Sequence, residues 1–294
     1  MTSATIEIDK GKCISCGECI ADCLTKVLAP DDDSQAYPVC PERCIQCGHC
    51  VCICPSDAVT LPAYDMENFP PISPDIGINY ETMLAFLRGR RSVRRYQDRP
   101  VPREVVAQLI EAARYAPTGT NRQGCKYTIV YGTKAVRSIT GVMVDYYIGL
   151  AKMMNSFFGR RMIRASVGKV GFQSLEKYLP FCQVMIDRYK AGEDPAFHSA
   201  PLLIGIYAEK GSYTTYDDCV IAGYHMVLAA DTLGLGSCIN GFLTGTGRHC
   251  TKLREAMNVP DGMGLFAAVG FGYPAVEYRR APDRHPPETN WIER

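Results

Sequence analysis

A repeat of four cysteines constrains this chain more than any other feature. Cys13, Cys16, Cys19 and Cys23 recur as Cys44, Cys47, Cys50 and Cys54, each 31 residues after its counterpart. Of the 15 cysteines, ten lie at or before position 54, the two outside the repeat being Cys40 and Cys52. A secreted disulfide scaffold would be short and would follow an export signal. This chain has 294 residues, and its start, MTSATIEIDKGKC, shows no basic segment followed by an apolar run, which predicts no signal peptide and a cytoplasmic setting. Zinc sites pair two C-x-x-C knuckles, not two runs of three, so the spacing does not suit zinc. Thiols packed this densely in a reducing compartment are there to hold metal.

The pattern C-x-x-C-x-x-C-x-x-x-C fits iron–sulfur clusters. Three thiolates at i, i+3 and i+6 wrap one cuboidal cluster, and the fourth, after three intervening residues, ligates the other. The crossed arrangement then places Cys13, Cys16, Cys19 and Cys54 on one [4Fe–4S] cluster. Cys44, Cys47, Cys50 and Cys23 take the second. Over residues 5–62 the sequence resembles bacterial-type two-cluster ferredoxins. Pro55 follows Cys54 as in their C-P ending, whereas Leu24 follows Cys23. Cys40 and Cys52 read as spare thiols packed near the clusters, and His49 as a neighbour of one.

Beyond the cysteines the texture changes. Prolines at 62, 70, 71 and 74 interrupt any helical or strand period, which marks a linker. The expected organisation is a two-cluster domain over 1–64, a Pro-rich linker over 65–78 and a larger domain over 79–294. Lys and Arg (32) nearly balance Asp and Glu (31), so no positive field argues for nucleic acid, and no apolar stretch is long enough for a bilayer. In the larger part, helices are predicted over 80–90, 102–116 and 217–236 and within 143–190, with strands at 125–132, 202–208, 237–243 and 264–274. Segment 217–236 is apolar nearly all round, which predicts burial on every side. His225 within it, and Cys125, Cys182, Cys219, Cys238 and Cys250, read as core residues. MMNSFFGRRM (153–162) suits either a pocket wall or ordinary helix packing.

Five short elements then occur in a telling order: GRRSVRRY (89–96), APTGTNRQ (116–123), LAADTLGLGSC (228–238), INGF (239–242) and VGFGYP followed by RRAP (269–282). In this order and spacing they resemble the nitroreductase family of flavoproteins over essentially 79–294. The resemblance implies an α+β fold, a nitroreductase-like mixed sheet with surrounding helices, preceded here by the small ferredoxin-like 2[4Fe–4S] domain. It further implies a homodimer with FMN at the subunit interface. Arginine's planar fork suits a dianionic phosphate. Arg90 and Ser92, with Arg279 or Arg280 from the C-terminal segment, are therefore expected on the FMN phosphate. Arg94 matches a basic position near the ring's pyrimidine edge. Pro117, Thr118 and Gly119 match a backbone segment presented to the flavin, and Asn121 and Gln123 are placed to bond its ring edge or ribityl hydroxyls. Asn240 and Gly241 match the turn whose N–H approaches flavin N5, where glycine permits close approach. No side chain stands out as catalytic.

The function expected from these parts is an iron–sulfur flavoprotein oxidoreductase. A ferredoxin-like donor, or NAD(P)H, would supply electrons to the clusters and on to FMN, for reduction of a nitroaromatic, quinone, activated alkene or halogenated aromatic. Two other readings keep the same cofactors: an electron-transfer module serving a partner protein, and a flavin-modifying enzyme. Fold alone does not choose among them.

Overall fold

The computed structural model describes residues 6–73 and 75–293. Residues 1–5 of the stretch read for an export signal, and Pro74 of the linker, lie outside them. The chain forms two compact units. The first comprises Met1–Ile78 with Thr118–Gln123, and the second Asn79–Pro117 with Gly124–Arg294.

The first unit shows the cysteine repeat as a backbone repeat. It contains β1 (Glu7–Ile8), α1 (Glu18–Asp22), β2 (Leu28–Pro30), β3 (Ala36–Pro38), α2 (His49–Cys52) and β4 (Val59–Thr60). Strand β1 pairs antiparallel with β4 and β2 with β3, so the first half of the repeat closes onto the end of the second. Left-handed residues recur at the cysteine offset: Ser15 (φ 58°) with Gln46 (54°), Gly17 (76°) with Gly48 (78°), Lys26 (52°) with Asp57 (51°). Each ligand loop thus makes the same tight reversal before its short helix. The core is small, with Ile6, Val27, Leu28, Val59 and Leu61 buried beside Cys19. A core of that size gains from cross-linking by bound metal.

The second unit is a sheet covered on both faces. Its elements in chain order are α3 (Tyr80–Gly89), α4 (Arg103–Arg114), β5 (Lys126–Tyr131), α5 (Thr133–Met154), α6 (Phe157–Lys190), β6 (Leu202–Glu209), α7 (Thr215–Thr232), β7 (Gly236–Ile239), α8 (Gly241–His249), α9 (Thr251–Ala256) and β8 (Met263–Gly272). The strand order is β5-β6-β8-β7, with antiparallel pairing between these neighbours. A parallel bridge from Ser92 to Ser237 extends β7's edge. Along β6, Leu202, Ile204 and Ile206 pack with α4 and α7, while Leu203 faces the core of α5, α6, α8 and α9. Coverage of both faces explains why β6 reads as a continuous apolar run. Among the described residues no helix is long and apolar enough to cross a membrane.

Three sequence expectations change. Segment 237–243 is not one strand: β7 ends at Ile239, and Asn240 caps α8 by accepting a bond from Leu243 N. The capping side chain competes with strand continuation and wins. The helical stretch begins at Thr133, earlier than expected, and α6 breaks at Gly168, whose φ is 71°. Helix α7 is not covered all round within one chain, because Tyr216, Val220 and Tyr224 are 46%, 39% and 38% exposed. Those three lie at i, i+4 and i+8, so they form one open stripe.

Candidate functional site

In the first unit, the thiols gather in two groups of four. Burial pushes the Cys19 thiol up, and Cys54, Cys16 and Cys13 add to the shift as its charged neighbours. Burial likewise raises Cys44, helped by Cys47 and Cys23. Cys50 is pushed up to about 12 by burial and then by Cys47 and Cys44. A cavity of about 30 Å³ has Cys23, Cys44, Cys47 and Cys50 together in its wall. Two backbone amides support the last cysteine of each repeat: Val27 N–H donates to Cys23 Sγ at 3.3 Å and Ala58 N–H to Cys54 Sγ at 3.2 Å. Burial would raise both thiols, but these bonds outweigh it and hold them below their ordinary value. Among the described residues no three ligands converge tightly enough for a single ion. In a cuboidal core each thiolate binds a different iron, so the four thiols of a group need not converge on one point. Eight soft thiol donors in two quartets fit two such clusters.

In the second unit, the segment Arg90–Tyr96 runs along β7. Val93 N–H donates to Ser237 O at 2.9 Å, and Tyr96 Oη donates to Val93 O at 2.8 Å. Gly236 makes this approach possible, since a Cβ there would lie 2.5 Å from Val93 Cγ2. Arg90, Ser92 and Arg94 all act on Cys238: burial raises its thiol, while Arg94, then Ser92 and Arg90, counter the rise. The C-terminal segment passes the same element, with Tyr278 Oη donating to Ser92 O at 3.4 Å and Ala275 N–H to Arg95 O at 2.9 Å. Arg279 and Arg280 follow directly in sequence.

Beside this element lies a cavity of about 700 Å³, within the usual range for small-molecule sites. Arg94, Cys238, Asn240 and Gly241 form one side, and Tyr146, Tyr147 and Tyr178 supply aromatic wall. The side chain of Asn240 is fully engaged. Its Oδ1 accepts from Leu243 N at 2.8 Å, its Nδ2 donates to Ala196 O at 2.7 Å, and its own backbone N–H donates to Ala268 O at 2.9 Å. Asn240 therefore positions the turn, and Gly241, whose N–H has no partner among the described residues, lies in the cavity wall. A Cβ at Gly241 would meet nothing within 4 Å, so packing in the chain itself does not demand glycine there. A planar ring lying against that backbone would supply the demand. Thr246 Oγ1 donates to Tyr147 Oη at 2.8 Å, and burial pushes Tyr147 up to about 12.

The other expected residues divide between the two units. Thr118, Gly119, Asn121 and Gln123 belong to the first unit, and only Pro117 stays with the second. Asn121 Nδ2 donates to Gln46 O at 2.7 Å, and Gln123 Nε2 to Tyr64 Oη at 2.9 Å. Both amides thus bond to the loop between Cys44 and Cys47 and to its neighbour Tyr64. The stretch 153–162 is not in the cavity wall, and Phe157 and Phe158 stand 77% and 78% exposed. His225 bonds Ala112 O through Nδ1 at 3.3 Å, as a core histidine does. Cys238, read as a core thiol, is a half-buried member of the cavity wall. His198 also lines the cavity, and no periodic pattern pointed to it. Its one cue is that PAFHSAP places an imidazole in an otherwise apolar loop.

An antiparallel sheet under helices, with a cationic and aromatic cavity at its edge, combined with a unit of eight grouped thiols, defines a redox protein. Residues 87–273 match the Nitroreductase family, and residues 5–55 match the 4Fe-4S dicluster domain. A 4-nitrobenzoate reductase from a Nocardioides species is 36% identical over 225 residues, covering 70% of this chain and 89% of that protein. An NADH dehydrogenase from Thermus thermophilus is 26% identical over 194 residues, covering 64% of this chain and 84% of its own length. A solved nitroreductase with bound FMN from Bacteroides fragilis, 20% identical, covers 74% of this chain and 100% of its own, with a TM-score of 0.55, and so shares the fold. The chain belongs to the nitroreductase family and is an oxidoreductase with an N-terminal 4Fe-4S dicluster domain.

Proposed function

We propose that this chain is an FMN-dependent reductase of electron-poor aromatic or quinoid acceptors, fed through two [4Fe–4S] clusters by a ferredoxin-like donor. The observation that carries the reading is the 700 Å³ cavity, bounded by Arg94 and Gly241, in a chain that also holds two thiol quartets. Bound there, FMN supplies two-electron chemistry, while each cluster exchanges single electrons. Arg90 and Ser92, with Arg279 or Arg280, hold the phosphate. Arg94 stabilises negative charge at the ring's pyrimidine edge. Asn240 keeps the Gly241 N–H directed at the ring, and Tyr147, neutral at pH 7, closes the aromatic side. Cys13, Cys16, Cys19 and Cys54 hold one cluster, and Cys44, Cys47, Cys50 and Cys23 the other.

A pure electron-transfer module that keeps FMN would need the same cavity; the likeness to a 4-nitrobenzoate reductase favours the enzyme. The open Tyr216–Val220–Tyr224 stripe supports pairing with a second copy. The test is anaerobic purification followed by metal, sulfide and flavin analysis, then stopped-flow reduction by ferredoxin and by NAD(P)H separately. About eight iron and eight sulfide per chain are expected, with one FMN. Cys16→Ser or Cys47→Ser lowers the iron count, whereas Cys40→Ser and Cys52→Ser do not. Zinc without sulfide would end the cluster assignment. Faster reduction by NAD(P)H than by ferredoxin would replace the donor.

A further inference from the structure

The residues lining the cavity include no Asp or Glu among those described. Its charged or chargeable side chains are Arg94, His198 and His249. Its buried protic groups stay neutral, since burial raises the Cys182 and Cys238 thiols and the Tyr147 phenol. The nearby carboxylate of Asp194 is buried and engaged by three donors. Oδ1 accepts from Thr140 Oγ1 at 2.6 Å and from Phe197 N at 3.2 Å, and Oδ2 accepts from Ser199 N at 3.1 Å.

That same carboxylate holds a costly backbone. His198 and Ser199 both adopt left-handed conformations, with φ of 57° and 59°. Side-chain-bearing residues occupy this region rarely, and two in succession persist only where surrounding bonds impose them. Asp194 imposes them here, and its backbone O accepts from His198 N–H at 2.9 Å as well. The outcome is an imidazole in the cavity wall, half-buried, with ring nitrogens that have no partner among the described residues. Burial and the neighbouring Arg94 depress its basicity, so the ring is neutral and presents one N–H donor at pH 7.

We propose that His198 recognises the acceptor, its ring N–H donating to an oxygen of the acceptor's carboxylate, nitro or carbonyl group, so that the cavity prefers anionic and neutral aromatics to cationic ones. This rests on the reductase reading above. Asp194 is a positioning residue that acts through the 194–199 turn. The acceptor's oxygen replaces the water that an exposed imidazole N–H would otherwise bond, and the side chains of the wall offer a cationic substituent no carboxylate.

The test uses the full-length protein, purified anaerobically, with His198→Gly and His198→Gln. Glycine removes the ring and relaxes the left-handed backbone, so folding is preserved; glutamine retains an N–H donor. Calorimetric titration with benzoate reads binding without turnover, and flavin content is measured on the same samples. Steady-state kinetics compare 4-nitrobenzoate, nitrobenzene and 4-nitrobenzylammonium. The expected order of kcat/KM is anion, then neutral, then cation. In His198→Gly, benzoate binding falls at least about tenfold, as for loss of a bond to a charged group, and the 4-nitrobenzoate loss appears mainly in KM. In His198→Gln, benzoate binding recovers in part, and the cation is affected least in both variants. Unchanged benzoate binding in His198→Gly, or equal losses for all three nitro compounds, would overturn the assignment. Protein without flavin would defeat the reductase reading alone, because the benzoate titration still reports on His198.

Discussion

Asn240 joins two elements at the cavity, so replacing it should separate what holds the site from what fills it. Asn240→Ala removes the α8 cap bond to Leu243 N and leaves the buried Ala196 O without its donor. A lost cap costs about 1 kcal/mol and an orphaned buried carbonyl about 1–3 kcal/mol, together about 2–4 kcal/mol. For a unit of this size each kcal/mol lowers Tm by about 2–4 °C, so the fall should be about 4–16 °C. Asn240→Asp keeps an acceptor for Leu243 N but sets a buried carboxylate oxygen against Ala196 O, so at neutral pH it should destabilise at least as much as Asn240→Ala. Thermal unfolding followed by far-UV circular dichroism and by flavin fluorescence measures both variants. The two signals should shift together, because the cap and the Gly241 N–H belong to one turn. If Asn240→Ala melted within about 1 °C of the parent, the two bonds would not be holding the turn.

Gly236→Ala should destabilise by about 1–3 kcal/mol through overpacking, since the new Cβ meets Val93; in differential scanning calorimetry, adding Val93→Ala should recover most of the loss. Arg90→Ala should weaken FMN retention by about 1.5–3 kcal/mol for a charge-assisted bond, read by equilibrium dialysis; retention equal to the parent would remove Arg90 from the phosphate site. His198 titrates below its ordinary 6.5, through burial and then Arg94, with Asp194 opposing and Arg188 assisting. The unfolded chain therefore binds the proton first, so stability is complete above 6.5 and falls as pH drops through the window just below it. His198→Gln should flatten that part of a urea-denaturation pH profile; an unchanged slope would refute the linkage.

Much of the site was legible in short-range patterns. The cysteine offset appears again as paired left-handed residues, because ligand loops of equal spacing need equal reversals. The strands at 125–132, 202–208 and 264–274 and the helix at 102–116 lie within about two residues of β5, β6, β8 and α4. Arg94, Asn240 and Gly241 do meet at one cavity. Ile239 and Phe242 favour a strand through 237–243, whereas Asn240 and Gly241 between them do not, and the cap bond that ends β7 forms only once the turn exists. The open stripe on α7 is not legible in sequence for a related reason. An all-round apolar helix states how much surface must be covered, not whether the same chain covers it.

By itself the sequence determined the metal chemistry, the family and the order of the elements, since each depends on residue type and spacing along the chain. Only the tertiary structure decided which side chains share a space. It engaged Asn121 and Gln123 on the loop between Cys44 and Cys47, turned Cys238 into a cavity residue, and presented His198 from a turn held by Asp194. Those outcomes depend on contacts between residues far apart in sequence, such as Thr140 with Asp194. Local propensity carries no information about such contacts, because they are made only when the packed elements bring the partners within bonding distance.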